Sequence, residues 1–240
     1  MNLKELDRWY SIKEYDPENK ELSKILKLAK PENKDILITG TYGVLHFSFK
    51  LLKYAKPVTA IHQNKKLISY CRKKSKKIKF FAKPLSKTGF PKESFDVVIS
   101  LWAGLHYEKN KRKIIREMKR ILKTKGTLLI EEADETSEFV RILDYISPKK
   151  KSRIKKKREE LKQVLEKEFG NVKESKLSTW YHFKNKSQAK KYFEKEIVFE
   201  EKKRFTKEME RRLEEYLSRK KTLKIGEKSV FFVCRKEAKP

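Results

Sequence analysis

At 240 residues, 38% hydrophobic and carrying 14 Phe and 10 Tyr, the chain has enough apolar material for a sizeable core. No run approaches the ~18 apolar residues of a membrane span, and the charged stretch Met1 to Asp7 has no signal-like apolar segment, so a cytoplasmic protein is expected. Cys71 and Cys234 lack the Cys or His neighbours of a zinc motif and read as small buried hydrophobes, while a formal net charge of +30 points toward polyanionic partners.

In chain order, Leu22, Ile25, Leu26 and Ala29 fall at helical spacing after Asp16-Pro17, which predicts a helical lead-in over residues 1–33 with Pro17 in its first turn. Strand and helix then alternate. Ile36 to Thr39 reads as a strand, Gly43 to Ala55 as a helix, Pro57 to Ile61 as a second strand, and Asn64 to about Lys77 as a helix capped by Asn64. Ile78 to Ala82 and Val97 to Leu101 read as the third and fourth strands. Ile114, Ile115, Met118, Ile121 and Leu122 mark one helical face, Gly126 is placed as a left-handed helix stop, and Thr127 to Ile130 as the fifth strand. Near-continuous apolar strands between amphipathic helices predict an α/β fold with a doubly wound, mostly parallel sheet.

Residues 134–169 read as helical with a break at Ser147-Pro148. A strand over Val172 to Phe183, a short helix over Ser187 to Phe193, a helix through Phe205, Met209, Leu213, Tyr216 and Leu217, and a final strand over Ser229 to Arg235 follow. With no Pro/Gly/Ser-rich linker and no repeat, residues 1–240 read as a single domain.

Four stretches together resemble the class I S-adenosylmethionine-dependent methyltransferases, in particular the type 11-like domain. They are Ile36-Leu-Ile-Thr-Gly-Thr-Tyr-Gly43, Phe90-Pro-Lys-Glu-Ser-Phe-Asp-Val-Val-Ile-Ser100, Leu105-His106-Tyr107, and Arg116 through Glu131 with its Arg-Ile-Leu-Lys-x-x-Gly-x-Leu-Leu-Ile core. The resemblance implies a Rossmann-like sheet of seven strands with the last antiparallel between the fifth and sixth. It also implies a cofactor-binding half over 34–135, a substrate-side half over 136–240, and S-adenosylmethionine as cofactor at the carboxyl ends of the strands.

That rim comprises Gly40, Thr41, Tyr42 and Gly43, then His62 and Gln63, Pro84 and Leu85, Leu101 and Trp102, and Glu131 to Asp134. Gly40, Thr41, Tyr42, Gly43, His62, Gln63, Leu85, Leu101 and Trp102 are the cofactor-binding candidates. Three departures stand among them: Ile38 replaces the acid of the first strand, His62 the acid that takes both ribose hydroxyls, and Pro84 the polar contact to adenine. Tyr42 and Val44 also replace glycines of the first turn. A carboxylate offers acceptors to two hydroxyls, whereas neutral imidazole offers one.

His106 is the catalytic candidate, at the cleft-lining position after the fourth strand; a structural histidine at a helix entry is the alternative. Trp102 reads as a ligand platform or as the edge of the core. Glu131, Glu132, Asp134 and Glu135 form an acidic patch near the cleft that would suit a cationic acceptor; Asp134 to Glu138 also suits the start of the next helix, which is the favoured reading. Gly40-Thr-Tyr-Gly43 also fits the Gly-x-x-Gly of a KH domain, but it follows a strand rather than joining helices.

Two blocks are basic without acids, Lys65 to Lys83 and Lys149 to Arg158. They suit RNA or a ribonucleoprotein if they share a face. Against this, fifty of the 63 basic residues are lysine, a bias that also accompanies thermal adaptation, and phosphate sites favour arginine. Two readings result. One is a methyltransferase using S-adenosylmethionine on RNA or a small molecule; the other is a methyltransferase-like fold without the cofactor, binding RNA through its basic surface.

Overall fold

The computed structural model describes residues 15–55, 57–147, 154–199 and 204–238. At its centre β1 (Ile36–Thr39), buried at all four positions, lies parallel between β2 (Val58–Ile61) and β4 (Phe95–Leu101). β3 (Ile78–Phe81) extends the sheet beyond β2 to one edge. On the other side follow β5 (Leu122–Ala133), β7 (Lys224–Arg235) and β6 (Val172–His182), giving the order β3-β2-β1-β4-β5-β7-β6 with β7 antiparallel to both neighbours. The sheet is the doubly wound, seven-stranded α/β architecture expected from the sequence.

Helices cover both faces, as parallel crossovers require. On one face α1 (Lys20–Ala29), α2 (Ser48–Leu51) and α3 (Lys65–Lys74) bury Ile25, Leu51 and Leu67 against Ile36, Ile38, Ile99 and Leu129. On the other, α4 (Lys111–Ile121) and α6 (Ile154–Phe169) pack Ile115, Met118 and Leu165 onto Leu37, Val98 and Ile130. A third cluster joins α5 (Glu138–Ile146), α7 (Lys186–Phe199) and α8 (Lys207–Ser218) to the far ends of β6 and β7 through Phe139, Phe193, Leu213 and Ile225. The second basic block falls partly outside the described residues, as do residues 1–14 of the lead-in.

Several local expectations are corrected. Pro17 lies in a turn before α1, whose amino end is held by Asp16: its carboxylate accepts the Lys20 and Glu21 amides at 2.9 and 2.8 Å. The segment after β1 enters through one π-helical turn, Gly43–Phe47, before α2, and ends at Leu51 rather than Ala55. α3 stops at Lys74, α7 is longer than expected, and β7 starts five residues earlier, at Lys224. Gly126 is not a helix stop. β5 begins at Leu122, directly after α4, and the left-handed residue is Lys125 (φ +64°). Gly126 lies inside β5 because a Cβ there would sit 2.7 Å from the Lys123 carbonyl oxygen and 3.0 Å from that of Asp96. The irregularity accompanies a register shift between β4 and β5.

At the amino ends of the strands, Asp96 binds the Asp35 amide at 2.9 Å, and Lys123 joins Asp35 and Asp96 at 2.7 and 2.9 Å. This knot ties β1, β4 and the entry to β5 together at the end of the sheet opposite the carboxyl-end rim.

Candidate active site at the carboxyl-end rim

β1 ends in Thr39 and the chain reverses at Gly40, whose φ is +89°. A Cβ at Gly40 would meet the Leu101 carbonyl oxygen at 2.1 Å, so only glycine lets the turn pass the end of β4. The turn therefore brings Gly40 to Gly43 beside Leu101 and Trp102. Ile38 is wholly buried below it, and a Cβ on Gly43 would stand 3.2 Å from the Ile38 side chain.

His62, at the end of β2, reaches the same turn. Its Nδ1 accepts the Asn64 amide at 3.0 Å, which puts the proton of the neutral ring on Nε2, 3.3 Å from the Thr41 hydroxyl. Burial holds its pKa below the usual imidazole value, keeping the ring neutral. The one acceptor of the ring is thus already used by Asn64, and its N–H is engaged by Thr41. Gln63 is exposed, Pro84 is exposed, and Leu85 is half-buried against the α4-side core.

α1 supplies a residue that the sequence pattern did not single out. Glu21, 1% exposed, lies on the stripe of Ile25 and Ala29 at i, i+4 and i+8 and points into the rim. It accepts the Trp102 indole N–H at 3.0 Å and the Tyr42 hydroxyl at 3.4 Å. Trp102 has φ +49°, a strained placement that this bond and the turn impose. Glu131, wholly buried near the end of β5, lies close enough to Glu21 for their charges to interact. Two neighbouring buried carboxyls resist ionising together. Burial raises the pKa of both groups, and the neighbouring Glu21 charge pushes Glu131 well above the carboxylate range. The Ser229 hydroxyl donates to Glu131 Oε1 at 2.7 Å, while Glu131 Oε2 has no hydrogen-bonding donor among the described residues. Glu227 is buried nearby, with burial lifting its pKa to about 8.

The adjacent residue, Glu132, points to the other face of the sheet, as strand alternation requires. Its Oε1 accepts the Leu105 amide at 2.8 Å and its Oε2 pairs with His106 Nδ1. That pairing leaves Nε2 as the acceptor nitrogen of His106; it is buried and without a hydrogen-bond partner among the described residues. Asp134 and Glu135 serve the chain locally. Asp134 accepts the Thr136 amide at 2.8 Å and forms an ion pair with Lys176, and Glu135 pairs with Arg158. Ser137, not Asp134, caps α5.

The structure thus brings Gly40, Thr41, Tyr42, Gly43, His62, Leu101 and Trp102 to one rim and adds Glu21. The residues present suit the cationic portion of S-adenosylmethionine, since a buried pair of acids with one unpartnered carboxylate oxygen favours a nearby positive charge. They do not reproduce the expected grip on the ribose, because no free acceptor stands on His62. Two open surface hollows, of about 590 and 500 Å³, lie around Lys184–Lys191 and beside Tyr216, away from this rim.

Residues 40–130 match a protein family described as a methyltransferase domain. No curated protein matches the chain. Among solved structures, a Bacillus halodurans protein described as a methyltransferase superposes with a TM-score of 0.61 at 15% identity, covering 91% of this chain and 99% of its own. The [4+2]-cyclase SpnF superposes with a TM-score of 0.54 at 13% identity, over 92% of this chain and 81% of its own. A Haemonchus contortus phosphoethanolamine N-methyltransferase, solved with phosphomonomethylethanolamine and S-adenosylhomocysteine, gives 0.51 at 16% identity, over 92% of this chain and 53% of its own. Residues 40–130 thus match a methyltransferase-domain family, and the chain has the seven-stranded fold it shares with these solved structures.

Proposed function

We propose that this protein transfers a methyl group from S-adenosylmethionine to a nucleophile that loses a proton in the reaction. The observation that carries the reading is the Glu21–Glu131 pair, two neighbouring acids buried at the carboxyl-end rim, with Glu131 Oε2 left without a donor among the described residues. In this reading the pair holds the cationic portion of the cofactor, and the Gly40–Gly43 turn lets the backbone approach it. The bound cofactor supplies a methyl group that is already activated, so the protein's task is mainly to orient the acceptor and exclude water.

His106 then has a defined role. Glu132 fixes its ring through Nδ1 and leaves the Nε2 lone pair as the proton acceptor for the incoming nucleophile. Trp102 and Tyr42, both hydrogen-bonded to Glu21, order the cleft wall. One observation favours a second reading, a fold that no longer holds the cofactor: both ring nitrogens of His62 are engaged within the chain, where the ribose needs acceptors.

Thermal unfolding with S-adenosylmethionine and S-adenosylhomocysteine separates the two. A functional site raises stability by about 2.7 kcal/mol at a hundredfold excess over the dissociation constant, and Glu131→Gln reduces the effect. Absence of any shift at millimolar ligand overturns the enzyme reading and leaves the second.

A further inference from the structure

The sequence contains no Asp or Glu between Asp35 and Glu93, and lysines and Arg72 accumulate in that interval. The structure gathers the densest part of it at the β3 edge of the sheet. On α3, Leu67, Ile68 and Cys71 turn inward, so Lys65, Lys66 and Lys73 lie on the outer face, all exposed. Lys76 and Lys77 follow in the connection to β3 and are also exposed. Ile78 and Phe80 join the core on the α3 side, which places the exposed Lys79 on the opposite face of the same edge strand.

None of these six lysines forms an ion pair with a described carboxylate. The contrast with the rest of the molecule is local and chemical. In the C-terminal half, cations meet acids repeatedly: Lys162 with Glu166 and Glu174, Lys190 with Glu210 and Glu214, Arg211 and Arg212 with Glu208, and Lys220 with Glu138.

Two ordinary explanations account for part of this pattern. Lysine on an edge strand discourages pairing with another chain, and Lys79 suffices for that. A chain-wide lysine bias fills exposed positions everywhere, but it does not remove acids from one stretch while leaving them paired in another. Clustered like charges repel, so an unneutralised cluster is held against an electrostatic cost that a polyanion relieves.

We propose that the β3 edge, through Lys65, Lys66, Lys73, Lys76, Lys77 and Lys79, binds the phosphate backbone of single-stranded nucleic acid. The cations wrap around an edge, with α3 on one side of the sheet and Lys79 on the other. A flexible strand can follow that course; a duplex, stiff over about 50 nm, cannot bend around one sheet edge. Lysine heads supply point charges rather than bidentate forks, so the surface reads phosphates and not bases. The surface is independent of the cofactor reading, because none of its residues belongs to the rim.

The test uses the full chain and fluorescence anisotropy with labelled 20-nucleotide oligouridylate, oligothymidylate and a 20-base-pair duplex. Six Lys→Gln substitutions at the named positions are compared with a charge-matched control, Lys→Gln at the exposed positions Lys167, Lys173, Lys191, Lys195, Lys207 and Lys221. A triple variant, at Lys65, Lys66 and Lys73, gives an intermediate point should the sixfold variant fold poorly.

If six phosphates are engaged, log affinity falls against log salt with a slope of about −4, which amounts to about two and a half decades between 50 and 200 mM. The edge variant should lose at least thirtyfold at 50 mM salt and most of the slope, the triple variant about half of both on a logarithmic scale, and the control less than threefold. Oligouridylate and oligothymidylate should bind within a few-fold of each other and both more tightly than the duplex. Equal losses in the edge and control variants overturn the proposal by showing a bulk-charge effect. Equal or tighter duplex binding also overturns it, as does absence of oligonucleotide binding at 50 mM salt alongside edge-dependent binding to vesicles containing 30% phosphatidylserine.

Discussion

The two ends of the sheet handle charge in opposite ways. At the β3 edge the chain omits acids altogether and leaves lysines in solvent, whereas where β5 meets β7 it buries acids against one another. Glu21, Glu131 and Glu227 are each no more than 3% exposed. Burying a carboxylate costs stability unless it is protonated or paired, so this acidic nest is retained against a cost, whereas exposed lysines need little compensation. A net charge of +30 therefore says less about function than the placement of these few acids.

The largest expected effect lies in the acidic nest. Glu227 keeps its proton to about pH 8 in the folded chain because burial disfavours its charge, whereas the unfolded chain loses it near the ordinary value of 4.5. Between those values the folded state binds more protons, so wild-type stability falls as pH rises through that window and levels off above it. Glu227→Gln should remove the penalty, raising stability by on the order of a few kcal/mol at pH 8.5 and leaving it nearly unchanged at pH 4. Urea unfolding at the two pH values measures the difference; a variant equally altered at both would show that Glu227 acts through packing and not through charge.

A smaller effect is expected from putting an acid where the basic half lacks one. His62→Asp supplies two acceptors at the end of β2 and should tighten binding of S-adenosylhomocysteine by about tenfold, the worth of one charge-assisted hydrogen bond. Calorimetric titration measures it, and an unchanged or weakened affinity would mean that the ribose does not reach this position.

Glu117 illustrates an acid kept at the surface by partners. Arg120 beside it, with the Thr88 hydroxyl and amide, holds its carboxyl down to about 2. Its contribution is present above about pH 4.5 and is lost as pH falls toward 2. Glu117→Gln should therefore cost about 1 kcal/mol at pH 7, after allowance for solvent screening, and less at pH 2.5. The smallest effect belongs to the edge: Lys76→Gln and Lys77→Gln should shift stability by less than about 0.5 kcal/mol. A larger loss would give those lysines a structural role and blunt the contrast between the two ends.

Much of the fold was legible because its signals are local. Buried parallel strands read as apolar runs, Asn64 caps α3 as its position suggests, accepting the Lys66 and Leu67 amides at 3.0 and 3.2 Å, and the Phe95-Asp-Val-Val stretch forms the start of β4. Asp96, within the Phe90–Ser100 stretch that carries the resemblance, is architectural, tying strands together far from the rim. Gly126 was misplaced because its requirement is space: a Cβ there would crowd the Lys123 carbonyl and, across to β4, that of Asp96, contacts that helix-stop reasoning does not contain.

The rim was legible in place but not in chemistry. The end of β1, His62, Trp102 and His106 were expected there, yet the tautomer of His62 depends on the Asn64 amide, and the pairing of His106 depends on which face Glu132 takes. Glu21 was missed although a signal existed. A glutamate on the buried stripe of Ile25 and Ala29 departs from amphipathic patterning, and such a departure marks a functional or strained position.

The central claim, that the buried acid pair receives a cation at a working cofactor site, is tested most directly by calorimetric titration of S-adenosylmethionine at pH 7 in buffers of different ionisation enthalpy. The account predicts that binding a cation beside Glu21 and Glu131 releases protons from the pair in the wild type and fewer in Glu131→Gln. No binding at millimolar ligand, or a binding enthalpy identical in every buffer, would contradict it.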